Sequence, residues 1–556
     1  MRRLRLGTRP SRLALIQSAL VAARLRERGT EVDLVTILTE GDLRPRDAPI
    51  KDGVFVKDLE HALLSGEIDL AVHSAKDLSL DPNPRLPIAA YPERADPLDA
   101  LVTRAGERSV EALPPGARVG TDSPRRSAFL RAIRPDMRVI PLMGNVDMRI
   151  KRLDAGEAEA LVLAAAGLDR LGLDDRIAAH LDARLMPPAP AQGALAVQVR
   201  RDDDEVLASV RAIDDPRVRL AVVAERAVLK AIGCGCDAPV GALATVSAAG
   251  EITLLAGAST PGGEISHVLT TTIAGDVART ACAVAEELLR HVPLRTRAIL
   301  DTRPELDDFG AELLASAGWR VIHIPAVATE RIERNAELDR ARGNLAAYQW
   351  VVLTSKRGVA ALFDGLNSAV PPSTRFAAVG PTTARALRER RVKVDARPAL
   401  AVGDAIPRAM AGHGLQRGDR VLLARADAAS ESLPEQLRSR GARVDDVVAY
   451  RTILAPPDSR QPLLEILANP MLEAVVFASG SAVRGLVELA GRHADKARRL
   501  RAFVIGPKTN AAARAHGFTV AGEARTPEAA GIVDSVKRYF EEEVTRWVEL
   551  QLPRSL

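Results

Sequence analysis

The sequence predicts an α/β protein of more than one domain, and three observations carry that prediction. Strand-like apolar runs alternate with helical patterns from Leu20 to Ala100, and the alternation resumes at Ala298. A chain of 556 residues is too long for one core, so two to four domains are expected. The stretch GVFVKDLEHALLSGEIDLAVHSAKDL, from Gly53 to Leu78, then joins a helix, a glycine stop and a strand to a cluster of polar residues. Val56, Leu59 and Leu63 fall at helical spacing, which predicts a helix over Val56–Leu64 closed by Gly66. Asp69–His73 reads as a strand, and His73, Ser74, Lys76 and Asp77 sit at its end. Ligands in open α/β sheets bind just beyond the carboxyl ends of strands. There, a carboxylate beside an ammonium can hold or protonate a nitrogen-containing substrate. The plainer alternative is that Lys76 and Asp77 merely solvate a turn.

Composition narrows the class. Hydrophobic residues make up 47% of the chain, yet no run approaches the roughly 20 uncharged apolar residues of a membrane span. Met1-Arg-Arg-Leu-Arg-Leu leads directly into a strand-like segment, without the apolar stretch of a signal peptide. Three cysteines are too few and too oddly placed for a disulfide framework. A soluble, reduced, cytoplasmic protein is expected. The net charge is +5, but aromatics are only 3% and acidic residues are mixed throughout. A nucleic-acid binder would concentrate its charge and interleave aromatics. The expectation is therefore a monomer without nucleic-acid or membrane partners. The arginines either reflect compositional bias or clamp carboxylates bidentately.

In chain order, RLRLGTRPSRLALIQ (3–17) reads as a strand, a turn and a helix opening near Ser11. A helix start attracts anions, and Arg9 would reinforce that. Glu31–Ile37 is a further strand, and the alternation suggests a mostly parallel sheet. Tyr91–Pro97 looks like a crossover into a second lobe. In that lobe VGTDSPRR (119–126) ends a strand and opens a helix at Ser123, with Pro124 in its first turn. Arg125 and Arg126 oppose the dipole there, so an anion is expected nearby. GNVDMR ends in Arg149 and AAAGLDR in Arg170, each just after a strand-like run. Arginines at the ends of separate elements suggest a cleft for a polycarboxylate; scattered, solvated arginines are the alternative. PPAPAQG (187–193) reads as a hinge-like return to the first lobe.

After a helix around Val218–Ala231 comes Ile232-Gly-Cys-Gly-Cys-Asp-Ala-Pro239, a tight Gly/Pro loop. No second Cys or His pair stands at zinc spacing, so no metal is expected. Cys282 lies on a helix face and reads as core, which leaves a loop thiol for covalent chemistry.

GTRPSRLAL, GVFVKDLEHALL, AVHSAKDL, VGTDSPRR, GNVDMR, PAPAQGA and GCDAPVG occur in the order and spacing of hydroxymethylbilane synthase, or porphobilinogen deaminase. The resemblance spans about residues 3–291. It implies three small domains, two resembling the lobes of periplasmic binding proteins and one a small α+β domain. It implies a dipyrromethane cofactor held by a thioether to Cys236. Asp77 would contact pyrrole nitrogens and stabilise the cationic azafulvene formed as ammonia leaves, with Lys76 beside it. Thr121, Ser123, Arg125, Arg126 and Arg149 would bind the cofactor. Arg9, Ser11, His73, Ser74, Arg170 and Gln192 would bind substrate. Departures from the family pattern are Met143 for an arginine, Asp52 for a lysine, Ser79 for a proline, Asp122 for a small residue and Cys234 for a glycine.

Beyond the connector HVPLRTR (291–297) a second α/β pattern begins, with weak internal similarity. Trp350–Ser355 parallels Glu473–Ser479, and FAAVGPTT (376–383) parallels FVIGPKT (503–509). Each is a strand followed by a small or hydroxyl residue opening a helix. Val421–Thr452, VGPTTARAL and IGPKTNAAARAHGFTV resemble uroporphyrinogen-III synthase over roughly 295–540. That resemblance implies two lobes flanking a cleft and ring closure with inversion of the last pyrrole. Thr509 would stand near the reacting atoms, with Ser355 and Ser479 lining the cleft. Lys356-Arg357 and Gly480 depart from the family pattern. A final helix is expected to about Glu543, then a tail over 541–556.

The expected organisation is a first half over 1–291, with lobe one at about 1–93 and 194–211, lobe two at 99–187 and the cofactor-carrying domain at 216–291. A linker at 292–297 and a second half at 298–540 follow. The expected activity converts porphobilinogen to uroporphyrinogen III in two steps. A chain with one working half, or a non-catalytic carboxylate binder, is the alternative.

Overall fold

The computed structural model describes the chain except residues 1–2, 44–55, 82, 235–237, 295–296, 306–313, 315–318, 365, 367–369, 399–404, 428, 470, 527 and 553–556. Cys236 and Asp52 therefore lie outside the described residues. The fold is mixed α/β with several sheets. It divides into one unit of residues 1–297, 316–320 and 537–556, and another of 298–315 and 321–536.

In the first unit, strands Val32–Thr36, Leu4–Thr8, Leu70–Ser74, Leu195–Val199 and Ile88–Ala90 form one sheet in that order. Leu4, Leu6, Leu70, Val72 and Val197 pack with Val21 and Leu25 of the helix Arg12–Glu27. The first three strands are parallel, as the alternation predicts, but Leu195–Val199 runs antiparallel to Leu70–Ser74. That strand comes back from a second sheet and enters from the opposite end. The second sheet is ordered Arg138–Ile140, Arg118–Gly120, Ala160–Ala164, Asp99–Thr103, Ala179–His180. A third, antiparallel sheet of Val240–Val246, Ile252–Ser259 and Ser266–Ile273 shares a core with helices Pro216–Ile232 and Val277–His291.

Buried carboxylates pin these layers. Asp69 accepts from the Arg5 backbone and guanidinium at 2.9–3.1 Å. Glu225, fully buried, accepts from Arg94 at 2.7 Å and from the backbone N–H groups of Ala191 (2.6 Å) and Ala244 (2.8 Å). A buried charge is tolerated only when paired and hydrogen-bonded in this way. The return segment is tightly turned: Ala191 has φ 68° and Gly193 φ 84°, and a Cβ at Gly193 would sit 2.4 Å from the Ala95 carbonyl oxygen.

In the second unit, one sheet runs Val327–Arg331, Arg443–Leu454, Arg420–Ala426, Trp350–Leu353, Arg375–Ala378. Ala298–Asp301, Leu472–Phe477, Arg501–Val504 and Val520–Glu523 are successive strands of the other. One sequence expectation is corrected. The last helix does not stop near Glu543 but spans Ala529–Gln551, because Val544, Trp547 and Val548 are buried. At the two ends of the connector 292–297, Val292 and Arg297 are buried in the first unit. Among the described residues no helix is long and apolar enough to cross a membrane.

Candidate active site

The strand Leu70–Ser74 ends in a 3-10 turn, Ala75–Asp77, that presents Lys76 and Asp77. Buried Arg226 fixes this turn by donating to the Ala75, Leu78 and Ser79 carbonyls at 3.0, 3.1 and 2.6 Å. The Lys76 ammonium donates to Gln192 Oε1 at 3.1 Å. Burial, followed by the nearby Arg126, pulls Lys76 down to about 8, against Asp77 and Asp99. Asp77 has a solvent-exposed surface. The protein crowded around it nevertheless raises its carboxyl above the usual range, with Lys76 and Arg9 opposing.

A cavity of about 530 Å³ opens beside Lys76. Ser11, Arg9, Ser74, Arg126, Arg149 and Arg170 all line it. Each is delivered by local structure. Ser11 caps the helix Arg12–Glu27 by accepting from the Ala14 N–H. Ser74 Oγ accepts from Gln17. Ser123 caps the helix Pro124–Ile133, and its own N–H donates to buried Thr121 Oγ1. Asn145 caps the helix Val146–Asp154, which brings Arg149 round to the cavity. Arg170, in the helix Ala165–Leu171, donates to the Gly193 carbonyl at 2.7 Å.

The anion expected beside Arg125 and Arg126 is internal. Asp99, fully buried, receives Arg125 at 2.7 Å, Arg126 at 2.8 Å and Gln192 at 2.9 Å. Burial disfavours the Asp99 carboxylate, but the two guanidinium groups hold its pKa well below the usual range. Arg126 still lines the cavity, whereas buried Arg125 is held by Asp99 and the Pro187 carbonyl. Gln192 is buried too and acts as a junction, accepting from Lys76 and Arg126 while donating to Asp99 and Pro97.

His73 is corrected most sharply. It is buried, pairs with Gln198 at 3.1 Å, and burial lowers it to about 4. It is a neutral core residue and no part of the cavity lining.

Asp42 was missed in the sequence, whereas Asp122 and Met143 stand there as departures from the family pattern. Asp42 meets Arg9 at 2.6 Å and lines the cavity. Asp122 lies 2.6 Å from Arg149, yet both its oxygens are buried without a well-directed hydrogen bond. Met143 lines the cavity beside Gly144. The two arginines of PRR signal the need for Asp99, but its position can be found only by folding the chain. Cys234 is buried and Cys282 half-buried, and burial pushes the Cys282 thiol up to about 12, where it is inert.

In the second unit Ser355 caps the helix Lys356–Phe363, accepting from Gly358 N–H at 3.0 Å and sharing a 3.0 Å hydrogen bond with the Tyr450 hydroxyl. Ser479 caps Gly480–Ala490 in the same way, with Ala482 N–H at 3.1 Å. Thr509 is buried in the first turn of Pro507–Ala515. Thr383 holds the equivalent place in Pro381–Glu389, which the internal repeat could have revealed. Lys356 and Arg357 meet Glu305 at 2.9 and 2.8 Å and hold its carboxyl at about 2. An open groove lined by Ile322, His323, Pro462 and Glu465 includes none of Ser355, Ser479 or Thr509.

Comparison with known proteins gives a consistent picture. Residues 4–208 match the porphobilinogen deaminase dipyromethane cofactor binding domain, and 219–290 match the porphobilinogen deaminase C-terminal domain. Residues 308–534 match uroporphyrinogen-III synthase HemD. The porphobilinogen deaminase of Acidothermus cellulolyticus is 51% identical over 253 residues, covering 44% of this chain and 76% of that protein. That of a Roseiflexus species is 46% identical over 290 residues, covering 51% and 95%. Among solved structures, Thermus thermophilus uroporphyrinogen III synthase aligns with 44% of this chain and all of that one, at 21% identity and a TM-score of 0.34.

Proposed function

Since the chain belongs to the porphobilinogen deaminase family over its first 290 residues and carries a uroporphyrinogen-III synthase domain behind them, we propose that one polypeptide turns porphobilinogen into uroporphyrinogen III. The observation that carries this reading is the cavity, where Arg9, Lys76, Arg126, Arg149 and Arg170 converge from separate elements. Each porphobilinogen brings two carboxylates that need cationic partners. Lys76 and Arg170 donate to neutral oxygens and retain N–H groups for such ligands.

The same cations fit a dipyromethane group, which when bound supplies the pyrrole acceptor that starts the chain. Arg126 and Arg149 would hold its carboxylates, and Cys236 would hold it through a thioether. Asp77 stabilises the cation left when ammonia departs from porphobilinogen. Lys76 orients the substrate carboxylate beside it. Four condensations and hydrolysis give hydroxymethylbilane. The second domain closes the ring with inversion of the last pyrrole, using Thr509 and the helix starts behind Ser355 and Ser479 to shape the substrate between two lobes. This reading takes the lobes at about 1–93 with 194–211, 99–187 and 216–291. The three separate sheets of the first unit support such a division. Tethering raises the local concentration of the second site for a labile intermediate.

The test is incubation of the purified protein with porphobilinogen, followed by oxidation and identification of the porphyrin isomers. Isomer III is expected. Isomer I alone would leave only the first half active, and no porphyrin would favour a binding protein.

A further inference from the structure

The segment Lys537–Gln551 follows the synthase domain in sequence, yet its side chains belong to the first unit. Val544, Trp547 and Val548 stand at helical spacing and are 1, 6 and 7% exposed. They lie in one core with the helices Pro216–Ile232 and Val277–His291. Polar contacts frame that core. Glu543 faces Lys230 at 3.6 Å and Arg297 at 3.4 Å. Lys537 meets Glu286 at 3.2 Å, and Arg219 donates to the Gln551 carbonyl at 3.1 Å. Arg297 lies over the Phe540 ring at 4.5 Å and donates to the Lys230 carbonyl at 2.7 Å. It closes the end of the helix that leads into the thiol loop. Gly233, at φ 69°, makes room: a Cβ there would stand 1.8 Å from Arg297 Nε.

One contact reaches toward the chemistry. The Trp547 indole N–H donates to the Leu80 carbonyl at 2.6 Å. Leu80 lies three residues beyond Asp77, in the segment that Arg226 also grips and that Lys230 anchors through Asp81 at 2.7 Å. The porphobilinogen deaminase match ends at residue 290 and the uroporphyrinogen-III synthase match at 534, so Lys537–Gln551 lies beyond both.

We propose that Lys537–Gln551 is a working part of the deaminase half, with Trp547 a positioning residue that sets the turn carrying Lys76 and Asp77. This rests on the assignment of Asp77 and Lys76 to the deaminase reaction. Displacing a reacting group by about 1 Å can cost up to about a hundredfold in rate.

The test uses the full chain with Trp547→Phe, which keeps an aromatic ring and deletes the N–H. Deaminase kcat is expected to fall about tenfold or more, with a shifted alkaline limb in its pH profile as Lys76 moves. Conversion of supplied hydroxymethylbilane should be unchanged. Hydrogen exchange at the Lys76–Leu78 amides should quicken in the same variant. A wild-type rate and pH profile, or unchanged exchange at those amides, would overturn the proposal. The exchange readout needs no activity, so failure of the assigned reaction would remain distinguishable.

Discussion

The two halves solve related problems with different materials. In the first, cations from three helices and two strand ends face a cavity, and a buried Asp99–Arg125–Arg126–Gln192 network fixes Arg126 and Lys76 among them. In the second, the candidate groups are hydroxyls and backbone N–H groups at helix starts, and the cations at Lys356 and Arg357 share the one carboxylate of Glu305. Expelling ammonia from a pyrrole develops charge that needs tuned ionic groups. Closing a ring whose leaving hydroxyl is already reactive needs shape and aligned dipoles. The contrast teaches that titratable groups concentrate where the reaction makes charge.

The largest expected effect is on Asp77. Asp77→Asn should lower deaminase turnover by about 10³-fold, within the range of preorganised charge at a transition state. Assay with supplied hydroxymethylbilane should show the synthase untouched, and a parallel loss there would break the contrast between the halves. Next is pH. Lys76, lowered to about 8, is cationic below that value and loses its charge above it. The KM for porphobilinogen should therefore rise toward a limit of about tenfold per pH unit on the alkaline side. Lys76→Arg should flatten that limb. A smaller change comes from Asp122→Ser, which frees Arg149 from an internal competitor. Mass spectrometry of apo-protein supplied with porphobilinogen should show cofactor assembly several-fold faster, as expected from about 1 kcal/mol. Smallest is Ser355→Ala, which should cost about 1 kcal/mol of second-unit stability by loss of the cap. Calorimetry would read it, while the deaminase rate stays put.

What the sequence disclosed follows the range of the forces involved. Ser11, Ser123, Ser355 and Ser479 were legible as caps because each bonds a backbone N–H within three residues. The motif resemblance brought Arg9, Arg149 and Arg170 to one cleft. Asp99 was not legible, since its partners stand 26 and 93 residues away. His73 was misread because both faces of its strand are buried, so alternation could not tell cleft from core. The last helix was cut short at Glu543 although Val544, Trp547 and Val548 carry the spacing. Only tertiary packing shows what that stripe covers. Cys236, the proposed thioether residue, came from motif alone and lies outside the described residues.

The residues that return to the first unit also set a timetable for biosynthesis. Ribosomes add about 5–20 residues per second, so the roughly 240 residues between Arg297 and Lys537 delay the last helix by about 12–50 s. Throughout that interval the nascent first unit lacks Val544, Trp547 and Val548, and the apolar surface they cover in the finished protein is open to water. The second unit is thus born before the first is sealed.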